Sequence, residues 1–391
     1  MKSNNPAPVK IVVAANAFKG SLDSVEVKGA IEAGIKLALP DAEVVSLLVS
    51  DGGDGFVQAL AHELGADKHW VDISGPLGET VRACFLFVAD KQVAILEMAA
   101  ASGLALLDPD KLDPMQASTF GLGEMITASL DLGARHIVLG IGGSATSDGG
   151  TGMASALGIE FFDADNNLLF GNAENLNKIS HLNLSTMDAR LKNVTFDVAC
   201  DVSNPLLGDQ GAATVYGPQK GADLAQVLLI EKGLANLANV IERDLGVNVR
   251  DIPGGGAAGG VGAALFAFFK AKIKPGAELL LDILDFDNRL QDASLLITTE
   301  GRLDFQTGFG KAPGAVAKRA KKQNVPSVII AGQIVSDNLD SGDFNFDKSY
   351  AFCGKNAGNN ISVEYAMVNA AALLTEKTAD VIRDRVLAGM K

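Results

Sequence analysis

The sequence predicts an α/β protein in which a parallel-sheet domain drawn from both ends of the chain is interrupted by a second, mixed α/β domain. Three observations carry that reading. Short β-branched runs alternate with helix-periodic stretches near the N-terminus, successive strands without intervening helices follow Gly65, and the first rhythm returns from Ala293 onward. At 391 residues the chain exceeds what one ordinary core serves, so about two domains are expected.

Lys10 to Ala14 reads as a short β-branched strand. Asp23 and Glu26 have the spacing of a capping box, and Val27, Ala30, Ile31, Gly34, Ile35 and Ala38 then repeat at helical spacing until Pro40. Glu43 to Val49 is a second strand, the turn Ser50-Asp51-Gly52-Gly53-Asp54-Gly55 follows, and Phe56 to Leu64 is a second helix. This β-α-β-α start predicts parallel strands. Lys68 to Ile73, Thr80 to Val88 and Gln92 to Met98 are strands joined by the turns Gly75-Pro76-Leu77-Gly78 and Asp90-Lys91, which predicts antiparallel pairing. A helix at Phe120 to Leu132, a strand at His136 to Gly140 and a helix after Gly149 come next. A strand from Ala293 to Thr299, a helix near Pro313 to Lys322 and a strand from Val325 to Ala331 restore the βαβ pattern. The expected boundaries are 1–67 with 286–391 for the first domain and 68–285 for the inserted one.

With 48% hydrophobic and 20% charged residues, the chain is globular rather than disordered. The run Ile11 to Ala15 is too short for a secretory signal, and no later apolar run reaches about 18 residues, so a soluble, cytoplasmic protein is expected. Cys84, Cys200 and Cys353 lack metal-ligand spacing and fit a reducing compartment, and His62, His69, His136 and His181 form no zinc pattern. A formal charge of −14 disfavours nucleic acid and acidic membranes as partners. An anionic ligand would need positive charge placed locally.

The candidate chemistry lies on glycine-rich turns, whose amides approach anions closely. Lys19 follows the first strand in Phe18-Lys19-Gly20-Ser21, where open parallel sheets place ligands; a solvated turn lysine is the alternative. Asp51 and Asp54 flank Gly52-Gly53 and suit magnesium or a ligand hydroxyl, or form an Asx turn. The run Gly140 to Gly150 holds five glycines, two serines and Thr146 between a strand and a helix, a sound phosphate seat. Gly254, Gly256 and Gly259 satisfy G-x-G-x-x-G, but no good strand precedes them, so alone the match is weak, and close helix packing is the alternative. No Walker A sequence occurs. Asp201 and Asn204 follow an apolar strand, where a carboxylate can take a proton, hold a metal or cap a turn. Glu300, Arg302 and Asp304 alternate in one short loop after the Ala293 to Thr299 strand, with a surface ion pair as the alternative. Lys220 and Lys311 are further cations on glycine turns.

In order along the chain, FKGSL near residue 20, DGGDG near 53, EMAAASGL at Glu97 to Leu104, GIGGSATSDGG, ACDVSNPLLG, GPQKGA, GGGAAGG, and EGRLDFQT with GKAP together resemble the bacterial type of glycerate kinase. The resemblance runs almost end to end. It implies a flavodoxin-like domain built from both termini, an inserted mixed-sheet domain and an interdomain active site that Lys19, the 140s loop, Asp201 and the 300 to 311 segment would face. Such an enzyme would transfer the γ-phosphoryl group of ATP, with magnesium, to a hydroxyl of D-glycerate, and 2-phosphoglycerate is the favoured product. On this reading Asp201, Lys19 and Arg302 are catalytic, with Asp201 the base. Ser21, Asp51, Gly52, Gly53, Gly142, Gly143, Ser144, Ser147, Asn204 and Lys311 bind substrate or phosphate, and Asp304 and Glu300 contact the metal. Three departures from the family pattern stand out: Ala15-Asn16-Ala17 where proline and an acid are usual, Asp54 in place of a longer acid, and Thr299 in place of glycine. A dinucleotide-dependent dehydrogenase and a catalytically silent anion-binding homologue are the rival readings. Oligomeric state is not legible.

Overall fold

A computed structural model describes residues 8–50, 56–303, 311–335, 345–354, 357 and 361–387. The chain divides into two compact units, Met1–Glu63 with Leu280–Lys391, and Leu64–Leu279. The expected divisions were at 67/68 and 285/286.

The first unit opens with β1 (Lys10–Ala15), α1 (Ser24–Ala38), β2 (Glu43–Leu48) and α2 (Phe56–Leu64). α1 begins in a complete capping box: Asp23 accepts the Val25 and Glu26 amides at 2.9 and 2.8 Å, and Glu26 accepts the Asp23 amide at 2.9 Å. Its buried stripe is Val27, Ala30, Ile31, Gly34 and Ile35, as the periodicity requires.

The second unit follows. It contains β3 (Asp67–Ser74), β4 (Thr80–Val88), β5 (Val93–Glu97), α3 (Met98–Ser102), α4 (Phe120–Asp131), β6 (His136–Gly140), α5 (Thr151–Ala156), β7 (Glu160–Phe162), β8 (His181–Asn183), β9 (Thr195–Ala199), α6 (Ala212–Tyr216), α7 (Leu224–Leu245), α8 (Val261–Phe269) and β10 (Lys272–Lys274). α9 (Gly276–Ile283) crosses the boundary between the units. Six strands form one mixed sheet in the order β10-β9-β6-β5-β4-β3, with β7 and β8 paired separately. β3, β4 and β5 pair antiparallel, as their short turns predict, and β5, β6, β9 and β10 run parallel. Phe85, Leu96, Leu122, Ile137, Phe161 and Leu234 belong to a single core.

α7 is the one long apolar helix among the described residues. It has 22 residues, and an 18-residue stretch of it has a mean hydropathy of 1.3, enough by length and composition to cross a membrane. Glu231 and Lys232 break its apolar run in the sequence, yet Ile230, Leu234, Leu237, Ala238 and Ile241 form a stripe that packs into this unit's core.

The first unit resumes with α10 (Phe286–Arg289), β11 (Leu295–Leu303), α11 (Ala312–Lys322), β12 (Ser327–Ile334), β13 (Lys348–Cys353), α12 (Val363–Val368) and α13 (Ala370–Ile382). Its five strands are all parallel in the order β13-β12-β11-β1-β2. Renumbered within the unit this is 2-1-3-4-5, the flavodoxin-like order, with its switch point between β1 and β11. Residues Ile11 to Ala15 and Val328 to Ala331 are buried without alternation, as strands covered on both faces must be. β11 runs four residues past the expected end at Thr299, because β12 also lengthens and pairs with it as far as Leu303↔Ile334. Glu300 and Arg302, expected in a loop, therefore stand on a strand. Their spacing of two puts both on one face.

Candidate functional site

In the first unit the candidate residues gather at the carboxyl ends of β1 and β11, the two strands of the switch point. Beyond Ala15 the chain makes a tight turn closed by a Phe18↔Leu22 bridge, with the Ser21 and Leu22 amides donating to the Phe18 carbonyl at 2.8 and 3.0 Å. Lys19 is exposed on it. The Ser21 hydroxyl donates to the Met367 carbonyl at 2.7 Å, which ties the turn to α12.

β11 meets this turn through side chains. Thr298 Oγ1 donates to the Ala14 carbonyl at 2.7 Å, and Thr299 Oγ1 accepts the Asn16 amide and donates to the Asn16 carbonyl, both at 2.9 Å. The Asn16 side chain accepts the Ala17 amide at 3.0 Å and directs Nδ2 at Glu300 Oε2, 3.4 Å away. Two of the three departures in sequence are thus bonded to each other. A Cβ added to Gly301 would lie 3.3 Å from Phe18 Cα and 3.5 Å from the Lys19 nitrogen, so this stretch of β11 lies directly against the turn. Lys19, Glu300 and the exposed Arg302 are thereby brought to one end of one sheet. Lys311, half-buried, has an extended backbone immediately before α11, which starts with Pro313 in its first turn. Asp51, Gly52, Gly53, Asp54 and Asp304 lie outside the described residues.

In the second unit the Gly140–Gly150 loop leaves the carboxyl end of β6. Its Gly142-Gly143 turn is exposed, while Ser144 to Gly150 are buried. The Leu104 amide donates to the Gly143 carbonyl at 2.9 Å and the Ala145 amide to the Ser102 carbonyl at 2.8 Å, pinning the loop to the end of α3 and the residues just after it. The phosphate seat expected at the following helix is filled from within. Asp148, fully buried, accepts the Gly150 and Gly152 amides at 3.0 and 3.1 Å, and the Thr119 amide and hydroxyl at 2.8 and 2.7 Å. Burial pushes its carboxyl above the usual carboxylate range, and these donors oppose the rise. Every contact is a donor, so the carboxylate is the form the loop is built around.

Ser147 is therefore interior. Its hydroxyl and that of Thr146 make no hydrogen bond among the described residues. The loop surface open to a ligand is Gly142-Gly143, with Ser144 just behind it. Lys220, a turn lysine in the sequence, is only 2% exposed, and its ammonium donates to the Thr146 carbonyl at 2.5 Å.

Asp201 is exposed just past β9, and one carboxylate oxygen accepts the Gly276 amide at the start of α9 at 2.8 Å. Asn204 has both ends of its amide engaged: Nδ2 donates to the Gln210 carbonyl at 2.8 Å and Oδ1 accepts the Tyr216 hydroxyl at 2.6 Å. It braces its loop rather than presenting an amide to a ligand.

The Gly254, Gly256 and Gly259 set has no strand before it among the described residues. Gly259 has φ +68°, and a Cβ there would sit 2.2 Å from the Thr146 carbonyl oxygen, so glycine serves close packing against the 140s loop. The dinucleotide reading loses its one support. Among the described residues no three His, Cys, Asp or Glu side chains gather as a metal site, and all three cysteines are free thiols. Glu300 is the described member of the expected metal pair.

Sequence reasoning missed Asp148 with its Thr119 partner, the Asn16–Thr299 bonds and the burial of Lys220. An acid between hydroxyl residues and a Gly-Gly pair was a visible signal for Asp148; nothing local distinguished Lys220.

The described glycerate kinase family matches residues 11–385. A glycerate 2-kinase of Escherichia coli K12 is 46% identical over 331 residues, which is 84% of this chain and 86% of that protein. A glycerate kinase of Halalkalibacterium halodurans is 44% identical over 324 residues, 83% of this chain and 85% of that one. A crystal structure described as glycerate kinase 2 of Salmonella typhimurium LT2 superposes with a TM-score of 0.86 at 40% identity, covering 98% of this chain and 99% of its own.

Proposed function

The chain belongs to the glycerate kinase family and is an enzyme that phosphorylates glycerate, and on that premise we propose its donor, its product and the residues that act. The donor is ATP, the acceptor is the 2-hydroxyl of D-glycerate, and the products are ADP and 2-phosphoglycerate, formed in the cytoplasm. The supporting observation is the gathering of Lys19, Glu300 and Arg302, from opposite ends of the chain, at the switch point of the flavodoxin-like sheet.

Phosphoryl transfer asks mainly for positioning and for neutralisation of spreading charge. The acceptor oxygen forms a bond to the γ-phosphorus as the bond from that phosphorus to the bridging oxygen breaks, and the hydroxyl proton goes to Asp201. The Asp201 oxygen that is not held by Gly276 is the one assigned to the proton. Lys19 and Arg302 meet the carboxylate and phosphate charge, with Lys311 as a further cation. Gly142 and Gly143 offer amides to phosphate oxygens, with Ser144 behind them. A magnesium ion, when bound with the nucleotide, would supply neutralisation of its phosphate charge. Glu300 and Asp304 would hold it through their carboxylates, and one or two such ligands are typical of a magnesium site that works on phosphates.

A coupled assay for ADP tests the reading. ADP formation that requires D-glycerate is expected; nicotinamide reduction, or binding without turnover, would replace the kinase by one of its rivals.

A further inference from the structure

Lys220 ends the turn Pro218–Lys220 and is buried to 98%, an environment that penalises an ammonium group. A methionine would occupy similar space without that penalty. The ammonium instead donates to the Thr146 carbonyl in the middle of the Gly140–Gly150 loop. Asp148 is the charged group that acts on it, and that carboxylate is already satisfied by Thr119, Gly150 and Gly152. The loop thus has a cation on its buried stretch at Thr146 and an exposed pair of glycines at Gly142-Gly143.

We propose that Lys220 is the internal positive charge of the Gly140–Gly150 loop, a positioning residue that holds the Thr146 carbonyl and gives the exposed Gly142-Gly143 turn its affinity for the nucleotide's phosphate. The proposal rests on the reading that this loop binds phosphate. In a poorly polarisable interior a charge acts over longer distances than in water. Burial pushes the Lys220 ammonium down to about 7, against the pull of Asp148. Its charge is therefore present on the acid side of neutrality and lost as pH rises.

The test compares the wild type with Lys220→Met and Lys220→Arg in the KM for Mg·ATP between pH 6 and 9. At pH 6 the methionine variant should show a KM about tenfold higher than wild type, the effect of losing one modest charge interaction, and the gap should close by pH 9. Arginine keeps its charge and should hold the low KM across the range. A gap independent of pH, or no gap, overturns the proposal. Should the variants fail to fold, calorimetry of Mg·ATP binding to the wild type in buffers of different ionisation enthalpy reads the same charge. Proton uptake on binding near pH 8 is expected, and none overturns the proposal. Gly142→Val separates the underlying reading, since a Cβ there meets nothing within 4 Å yet a valine would obstruct an incoming phosphate. An unchanged KM in that variant removes the loop from phosphate binding and the proposal with it; a raised KM beside a silent Lys220→Met overturns the proposal alone.

Discussion

Asp201 combines an exposed carboxylate with a structural bond to the Gly276 amide, and these two roles can be separated. Asparagine keeps an acceptor oxygen for Gly276 but cannot take a proton. Asp201→Asn should therefore lower kcat by about 10²- to 10⁴-fold with little change in the KM for glycerate, while Lys19→Ala should chiefly raise that KM. Steady-state kinetics decides it; a near-normal kcat for Asp201→Asn would leave Asp201 as the cap of α9. At the switch point, Asn16→Asp would place a second carboxylate where Nδ2 now meets Glu300 at 3.4 Å. Two acids that close cannot both ionise freely, so the acid limb of the kcat/KM profile should move to higher pH. An unmoved limb would put Glu300 away from the reacting groups. Asn16 and Thr299 were visible in the sequence as departures, but their mutual bonds were not, because they join residues that only the sheet makes neighbours. Asp148 and Lys220 escaped for a related reason: a glycine-rich turn looks solvated until other segments cover it.

The elements were legible where a pattern had a period. The α1 stripe, its capping box and the β3–β4–β5 meander stand where spacing put them. β11 was read short because Glu300-Gly301-Arg302 has poor β propensity, and pairing with β12 outweighs that preference. The helix start at Thr151 was read as a phosphate seat, and the amides there are taken by Asp148 instead. The glycine segment before α8 shows what packing demands of a backbone. Gly259→Ala would combine a left-handed φ with a 2.2 Å approach to the Thr146 oxygen and should cost about 2–4 kcal/mol. The lone tryptophan, Trp70 on β3, lies in the same unit, so the loss should appear as an earlier thermal transition in its fluorescence. An unchanged transition would mean that the segment yields easily and that the packing argument fails.

For the whole molecule, the return of the βαβ rhythm after residue 293 was enough to read a discontinuous parallel-sheet unit, and the strand order β13-β12-β11-β1-β2 gives it the flavodoxin-like arrangement. The chain is strongly anionic, and its two substrates are anionic too. Turnover should accordingly depend on a divalent cation carried by the nucleotide, so that excess EDTA abolishes activity and magnesium restores it without any need for zinc. Full activity in EDTA would contradict the assigned chemistry. The most direct test is an NMR spectrum of the products formed from Mg·ATP and D-glycerate. The account predicts ADP and 2-phosphoglycerate in equal amounts, with neither formed when D-glycerate is left out. A phosphate found on the 3-hydroxyl would overturn the proposed acceptor, and no glycerate-dependent ADP at all would contradict the assignment of this chain as a working kinase.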